Sequence, residues 1–465
     1  MASTAGLGGL KFGPSVMAAQ SNPGGGRTKP AKSTILFFLC GGSSHIDMWD
    51  MKPEAPMEYR GPFRPIKTTA PGVDICEHLP LTARQGKHLA IVRSITDFGR
   101  ATGDHHAGYY YNLTGNVPDL TFRTEGNNRR PYSTDAPYMG TVIGQRRPKH
   151  PKLPQVITLP TKPSRAPYTR PGQFAGRLGL EHDPFYIYGQ HAKPLNFTAP
   201  SLTLTDGMDG KRLAERKVFL EAINNARRTA DIDPAVANYT RQQQKAFDLL
   251  SSTETAGAFD IASEPKKVRE RYGEHLNGMS MLMARRLVEA GVPFVTVFWK
   301  VDGINSKLAK KCRSAGGWDT HGDNFNCLKT DLLPRFDQCY SALLEDLAQR
   351  GLLDSTLVML TSEMGRKPKI GDPRSGGTTG GGRDHWTACQ SIVLAGGGIR
   401  GGQTYGKTDE FGHKVVEDQV SVHDFHATIL HLLGLHHQKL FYQRSGLEER
   451  LTGIEVPKVV RGILA

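Results

Sequence analysis

LEDLAQRGLLDSTLVMLTSEMG, residues Leu344–Gly365, is the stretch from which the architecture can be read. Its opening closes an amphipathic helix that the periodicity places at Leu332 to Arg350, and Gly351 follows. Thr356 to Thr361 (TLVMLT) is then a short, continuous apolar run of strand length. A helix feeding a strand with no polar alternation implies a parallel sheet covered on both faces. The strand ends in Ser362-Glu363-Met364-Gly365-Arg366, an acid set just past its C-terminus.

Four further runs share this pattern: Ser33–Leu39, His88–Ile95, Pro293–Trp299 and Ser391–Ala395. The third follows an amphipathic helix at Met279–Ala290, and a last helix is expected at His423–Leu435. The fold class is therefore α/β, a three-layer αβα sandwich around a mostly parallel sheet, which binds ligands past its strand C-termini. From Pro118 to Lys267 the pattern changes. Pro-rich loops run to Pro200 and a charged helical stretch spans Gly210–Leu250, read as an insertion (about 118–267) covering one sheet edge.

Among 465 residues, 38% are hydrophobic and 22% charged, as in ordinary globular chains, and 52 Gly with 29 Pro imply much loop. A net charge of +14 favours anionic partners such as sulfated or phosphorylated esters and acidic polysaccharide. The basic pairs Arg146-Arg147, Lys266-Lys267 and Lys310-Lys311 are scattered, without aromatic interleaving or a helix-turn-helix pattern, so no nucleic-acid partner is expected. The six cysteines lack zinc-thiolate spacing; a Cys312–Cys327 disulfide and buried free thiols both stay open. No run is long and apolar enough to span a bilayer. Residues 1–30, with the weakly apolar Met1–Gln20 and the linker Ser21–Gly26, read as the remnant of an export signal ahead of a 31–465 domain; a disordered tail is the alternative.

Polar clusters stand beside the predicted strand ends: His45-Ile46-Asp47, Asp104-His105-His106, Trp318-Asp319-Thr320-His321, Ser362-Glu363 and Arg383-Asp384-His385. Burying so many carboxylates and imidazoles in one crevice is costly without a counter-charge. Two divalent cations would remove that cost, and mixed His/carboxylate donors suit Zn, Mn or Fe ahead of Ca or Mg.

Leu344–Gly365 also resembles the sulfatase helix–strand segment that ends in T-S-D-H/N-G, and His423–Leu435 resembles the closing helix of that superfamily. From about Ser33 to Leu464 the chain resembles the bacterial DUF1501 family. The resemblance rests on Gly42–Asp47, Asp104–Gly108, Trp318–Phe325, Ser362–Arg366, Gly382–Trp386 and Gly396–Gly402. It implies an alkaline-phosphatase-like fold, twin-Arg export to the periplasm or beyond, and metal ligands at Asp47, Asp319, His321, Glu363 and His385. His105 stands where sulfatases carry Cys or Ser at the start of the helix ending Leu113-Thr114-Gly115, so a formylglycine mechanism is not supported. His105 then reads as a further metal ligand, with a metal-bound water attacking, and Asp104 or His106 as acid/base groups. Arg366 and Arg383 would hold the anion. The implied function is an exported metal-dependent hydrolase of sulfate or phosphate esters, sulfated polysaccharide among them. The alternative is a non-catalytic metal- or polysaccharide-binding protein on the same fold, and phosphomutase chemistry is disfavoured because no residue to carry the phosphoryl group is evident. Oligomeric state is not set by the sequence.

Overall fold

The structure, a computed structural model, describes residues 29–165, 168–198, 257–303, 312, 314, 317–371, 381–444 and 447–465. Among these residues nine strands form the central sheet. They are β1 (Ser33–Phe38), β2 (Leu89–Thr96), β3 (Val156–Leu159), β4 (Phe185–Tyr186), β5 (Phe294–Phe298), β6 (Thr356–Thr361), β7 (Gln390–Ala395), β8 (Gln403–Tyr405) and β9 (Val420–Ser421). Their order is β8-β2-β7-β6-β1-β5-β3-β4, with β9 alongside β2. Every pairing is parallel except those of β7 with β6 and β2.

β1 lies inside the sheet and explains the three layers. Its side chains alternate between faces, and all six residues are buried. Ile35 and Phe37 join a core with Met283 and Leu287 of helix Leu276–Glu289 and with Phe336, Leu343 and Leu347 of helix Leu333–Gln349. Leu36 and Phe38 face the other way, toward Tyr109 and Leu113 of helix α1 (His105–Thr114) and Phe425 and Ile429 of helix α2 (Val422–Leu432). The α/β sandwich read from the apolar runs is the architecture observed.

Two strands of the central sheet fall within the stretch from Pro118 to Lys267. β3 and β4 extend the sheet itself, their short apolar runs lying between Pro154 and Pro160 and just after Pro184, where the prolines masked them. The helical stretch at Gly210–Leu250 and most of the export-signal segment lie outside the described residues.

α2 begins with a capping box: the Ser421 hydroxyl accepts from Asp424 N–H while the Asp424 carboxylate accepts from Ser421 N–H. It also buries His426 completely, with Nε2–H donating to the Asn112 carbonyl at 2.8 Å. Burial lowers the His426 pKa to about 4, against the ordinary 6.5. The unfolded chain therefore binds a proton that the folded chain refuses between these values, and stability falls as pH drops from 6.5 towards 4. The loss attributable to this group is about 3 kcal/mol. Urea midpoints at pH 7.5, 5.5 and 4.5 should show a steeper acid-side fall in the native protein than in His426→Gln.

Candidate metal centre

Register sets three strand ends level. Phe38 pairs with Phe298 of β5 and with Thr361 of β6, so β1, β5 and β6 release the chain at one edge. Gly41 N–H then donates to both Glu363 oxygens, at 2.8 and 3.1 Å, and Trp318 N–H donates to the Cys40 carbonyl at 3.2 Å. The backbone at Gly41 has φ +124°, and a Cβ there would lie 2.3 Å from Asp319 N. Only glycine allows the loops carrying Glu363 and Asp319 to close this tightly. Because β7 runs antiparallel, its N-terminal approach reaches the same edge, and His385 pairs with Arg366 in a two-residue ladder.

Asp319 lies at the middle of what these loops bring together. Its Oδ2 is 3.2 Å from His105 Nε2; its Oδ1 is 3.0 Å from His321 Nε2, 3.3 Å from His385 Nε2 and 2.6 Å from Arg366 Nη2. His321 Nε2 and His385 Nε2 are 3.0 Å apart, and His321 Nδ1 is 3.3 Å from Asp384 Oδ1. Behind them, His105 Nδ1 is 2.7 Å from Glu363 Oε1 and His385 Nδ1 is 2.7 Å from the Gly103 carbonyl. The cluster opens outward through Asp319, whose side chain is 43% exposed, whereas Glu363 is fully buried.

These contacts fix protons. A carboxylate and a carbonyl can only accept, so His105 and His385 each carry hydrogen on Nδ1, which leaves Nε2 to donate to Asp319 when the ring is protonated and to ligate a cation when it is not. His321 has no tautomer that satisfies both sides. With hydrogen on Nδ1 its Nε2 faces only acceptors, and with hydrogen on Nε2 its Nδ1 faces Asp384 bare. Imidazole nitrogens and carboxylate oxygens gathered at 3.0–3.3 Å are atoms that could ligate a divalent cation, and the inner hydrogen bonds from His105 to Glu363 and from His385 to Gly103 are of the kind that orient such ligands. Two groups meet the spacing for an ion, His105 with Asp319 and His385, and His321 with Asp384 and His385. Asp384 is the member that sequence reading passed over, although it stands next to His385 in Gly-Arg-Asp-His-Trp.

Electrostatics follow the same map. Burial alone would raise the Asp319 carboxyl, but the Arg366 charge and hydrogen bonds from three imidazoles hold it far below its usual range. Burial likewise works to raise Glu363, and His105 with Arg170 more than reverses it. For His105, burial is outweighed by Asp319 and Glu363 and its pKa rises; for His385, burial together with the charges of Arg366 and His105 wins and its pKa falls.

The other residues expected at the site are placed differently. Asp47 accepts both arms of Arg383, at 2.7 and 2.9 Å, together with Ser44 Oγ at 2.6 Å and Asn324 Nδ2 at 2.8 Å. Both partners of this pair are fully buried, so Asp47 serves Arg383 instead of the imidazoles, and Arg383 offers no free edge to an anion. Arg366 is equally buried and is held by Asp319 and the carbonyls of Gly41, Gly42, Trp318 and Arg383. Asp104 and His106 face away from Asp319: Asp104 receives Thr102 and Asn127, and His106 Nδ1 meets the Arg129 carbonyl at 2.9 Å.

A Cys312–Cys327 disulfide closes the segment that carries Asp319 and His321, while Cys40, Cys76, Cys339 and Cys389 are free. Changing both bridged cysteines to Ser should cost about 3 kcal/mol, the constraint expected of a loop of this size. A lowered urea midpoint with every ligand side chain still present would register it.

The fold and this cluster define an αβα protein with carboxylate and imidazole donors gathered past its strand ends. The chain belongs to the family described as "Protein of unknown function (DUF1501)", which it matches over residues 31–464. Among solved structures it is similar to a mutant of the alkaline phosphatase PafA at 9% identity, with 95% of this chain and 100% of that one covered and a TM-score of 0.42. It is also similar to the PsFucS1 sulfatase from Pseudoalteromonas sp. (13% identity, 88% and 68% covered, TM-score 0.39). A third is the phosphonate monoester hydrolase SpPMH from Silicibacter pomeroyi (12% identity, 86% and 73% covered, TM-score 0.40). No curated protein matches the chain.

Proposed function

We propose that this protein is an exported, metal-dependent hydrolase of sulfate or phosphate esters. The observation that supports the reading is the convergence of three imidazole nitrogens on the Asp319 carboxylate. In this reading His105, Asp319 and His385 would hold one divalent ion, and His321 and Asp384, with His385 between the two groups, would hold a second. The ions would supply Lewis acidity to the ester and acidify the attacking water. Glu363 keeps the His105 proton on Nδ1 and its Nε2 turned outward. Arg366 fixes Asp319 between the two groups of imidazoles. The net charge of +14 draws anionic esters, sulfated polysaccharide among them, towards the open side.

The test is elemental analysis of protein purified without chelators, with the same preparation assayed on aryl sulfate and aryl phosphate esters. About two transition-metal equivalents with turnover of either ester supports the hydrolase and names its leaving group. Bound metal without turnover of any ester, across a panel that includes sulfated oligosaccharides, favours a non-catalytic metal-binding protein on the same fold. Protein that takes up no metal on reconstitution overturns both.

A further inference from the structure

Phe98 has backbone φ +53°, in the left-handed region that a bulky side chain seldom enters, and its side chain is half exposed. Buried Asp97 holds this turn. Its carboxylate accepts Gly99 N–H and Ala101 N–H, each at 2.9 Å, and its carbonyl accepts Arg100 N–H at 3.0 Å. Backbone strain that keeps an aromatic ring in solvent serves no core, and strain of this kind collects where ligands are gripped.

Phe98 borders an open cavity of about 270 Å³. Three segments line it: Phe98 and Arg100 after β2, His423 on the first turn of α2, and Glu455, Val456 and Lys458 near the end of the chain. The first two meet because β9 lies parallel to β2, with Ser421 level with Thr96. The third is tied in by Lys458 N–H, which donates to Asp424 Oδ1 at 2.6 Å, and by Glu455, whose Oε1 is 2.9 Å from Arg100 Nη1. His423 is buried apart from what it shows the cavity, and among the described residues neither of its ring nitrogens makes a hydrogen bond. Burial also holds this imidazole below its usual pKa, so the ring is neutral, with one nitrogen to donate and one to accept. Leaving both without a partner is costly unless something in the cavity meets them.

We infer that this cavity binds one pyranose ring of a saccharide. A pyranose has a face of C–H bonds, which suits the exposed Phe98 ring, and an edge of hydroxyls, each both donor and acceptor. The Glu455 carboxylate accepts from such hydroxyls, Arg100 donates to them, and His423 can do either. A compact anion fits less well, because the carboxylates of Asp424 and Glu455 also line the space. The volume is below that of a drug-sized pocket and on the scale of a single ring. The loop from Asp97 to Gly103 is fastened at both ends to the segment carrying His385: Asp97 N–H donates to the Thr387 carbonyl at 3.4 Å, and the Gly103 carbonyl is 2.7 Å from His385 Nδ1. The cavity therefore neighbours the metal centre, but it uses none of that centre's residues, and the inference stands whether or not the centre hydrolyses esters.

The test is saturation-transfer NMR on the full chain, with the methyl glycosides of glucose, galactose, mannose, fucose, N-acetylglucosamine and glucuronate as probes. At least one glycoside is expected to bind the native protein, with saturation strongest on the C–H protons of one ring face. Phe98→Gly, which removes the ring where glycine accepts the backbone, should keep the native melting temperature or raise it and weaken binding about 10-fold. Arg100→Met should weaken it about 10- to 100-fold, the range for a hydrogen bond to a charged group. Chelator-treated native protein should bind as before. No saturation of any of these glycosides by the native protein overturns the inference, and so does binding that both variants keep in full. Binding that chelation abolishes while both variants retain it would put the sugar at the metal centre, which sinks the inference and leaves the hydrolase reading standing.

Discussion

Asp319→Ala is expected to remove most of the bound metal and all metal-dependent ester turnover. The residue is the only carboxylate among the described residues that lies within 3.3 Å of three imidazoles, and it divides its two oxygens between them. Losing an outer partner of a metal ligand costs roughly 10- to 100-fold in affinity, so losing the shared carboxylate should exceed that range. The variant also strips the buried Arg366 of its acid, which will lower stability; the reading must therefore come from protein shown to be folded at the assay temperature. Elemental analysis of folded Asp319→Ala and His385→Ala decides the matter. Metal content equal to the native protein in both would mean that the converging lone pairs are satisfied by protons and that the centre is an imidazolium cluster.

Asp47→Ala should have the largest effect on stability, about 3–5 kcal/mol, because it leaves the fully buried Arg383 guanidinium without its counter-ion. Arg383 would retain only carbonyl acceptors, from Tyr59, Lys367 and Pro368, which cannot neutralise it. Chemical denaturation of Asp47→Ala and of the Asp47→Leu/Arg383→Met pair separates the cost of an orphaned charge from the worth of the pair. The double variant should recover much of the loss, since matched apolar replacement of a buried ion pair is often neutral. If Asp47→Ala instead unfolds like the native protein and gives up its metal, Asp47 belongs to the donor set.

Much of the frame is legible in the amino-acid sequence. The five apolar runs became strands because a strand buried on both faces has no polar alternation to hide it, and the clusters beside them met because level parallel strands deliver their C-terminal loops to one edge. What pattern could not supply is partnership. Asp47 and Arg383 are 336 residues apart, and nothing local distinguishes an acid that will meet an arginine from one that will meet a metal. Asp384 was overlooked for a related reason: beside a histidine, an acid reads as a capping or solvated group until the fold turns it toward His321. The antiparallel course of β7 was equally hidden, since SIVLA reads the same in either direction.

The course of β1 has a practical corollary for how the molecule can be held. Ala31 N–H bonds the Leu432 carbonyl and Pro30 packs at Gly434, so the chain enters the sheet at the end opposite the donor cluster. Six extended residues, roughly 20 Å, separate that entry from Cys40. A handle or surface linker attached at residue 30 would consequently grip the molecule by its back and leave the side on which Asp319 is exposed turned away from the support.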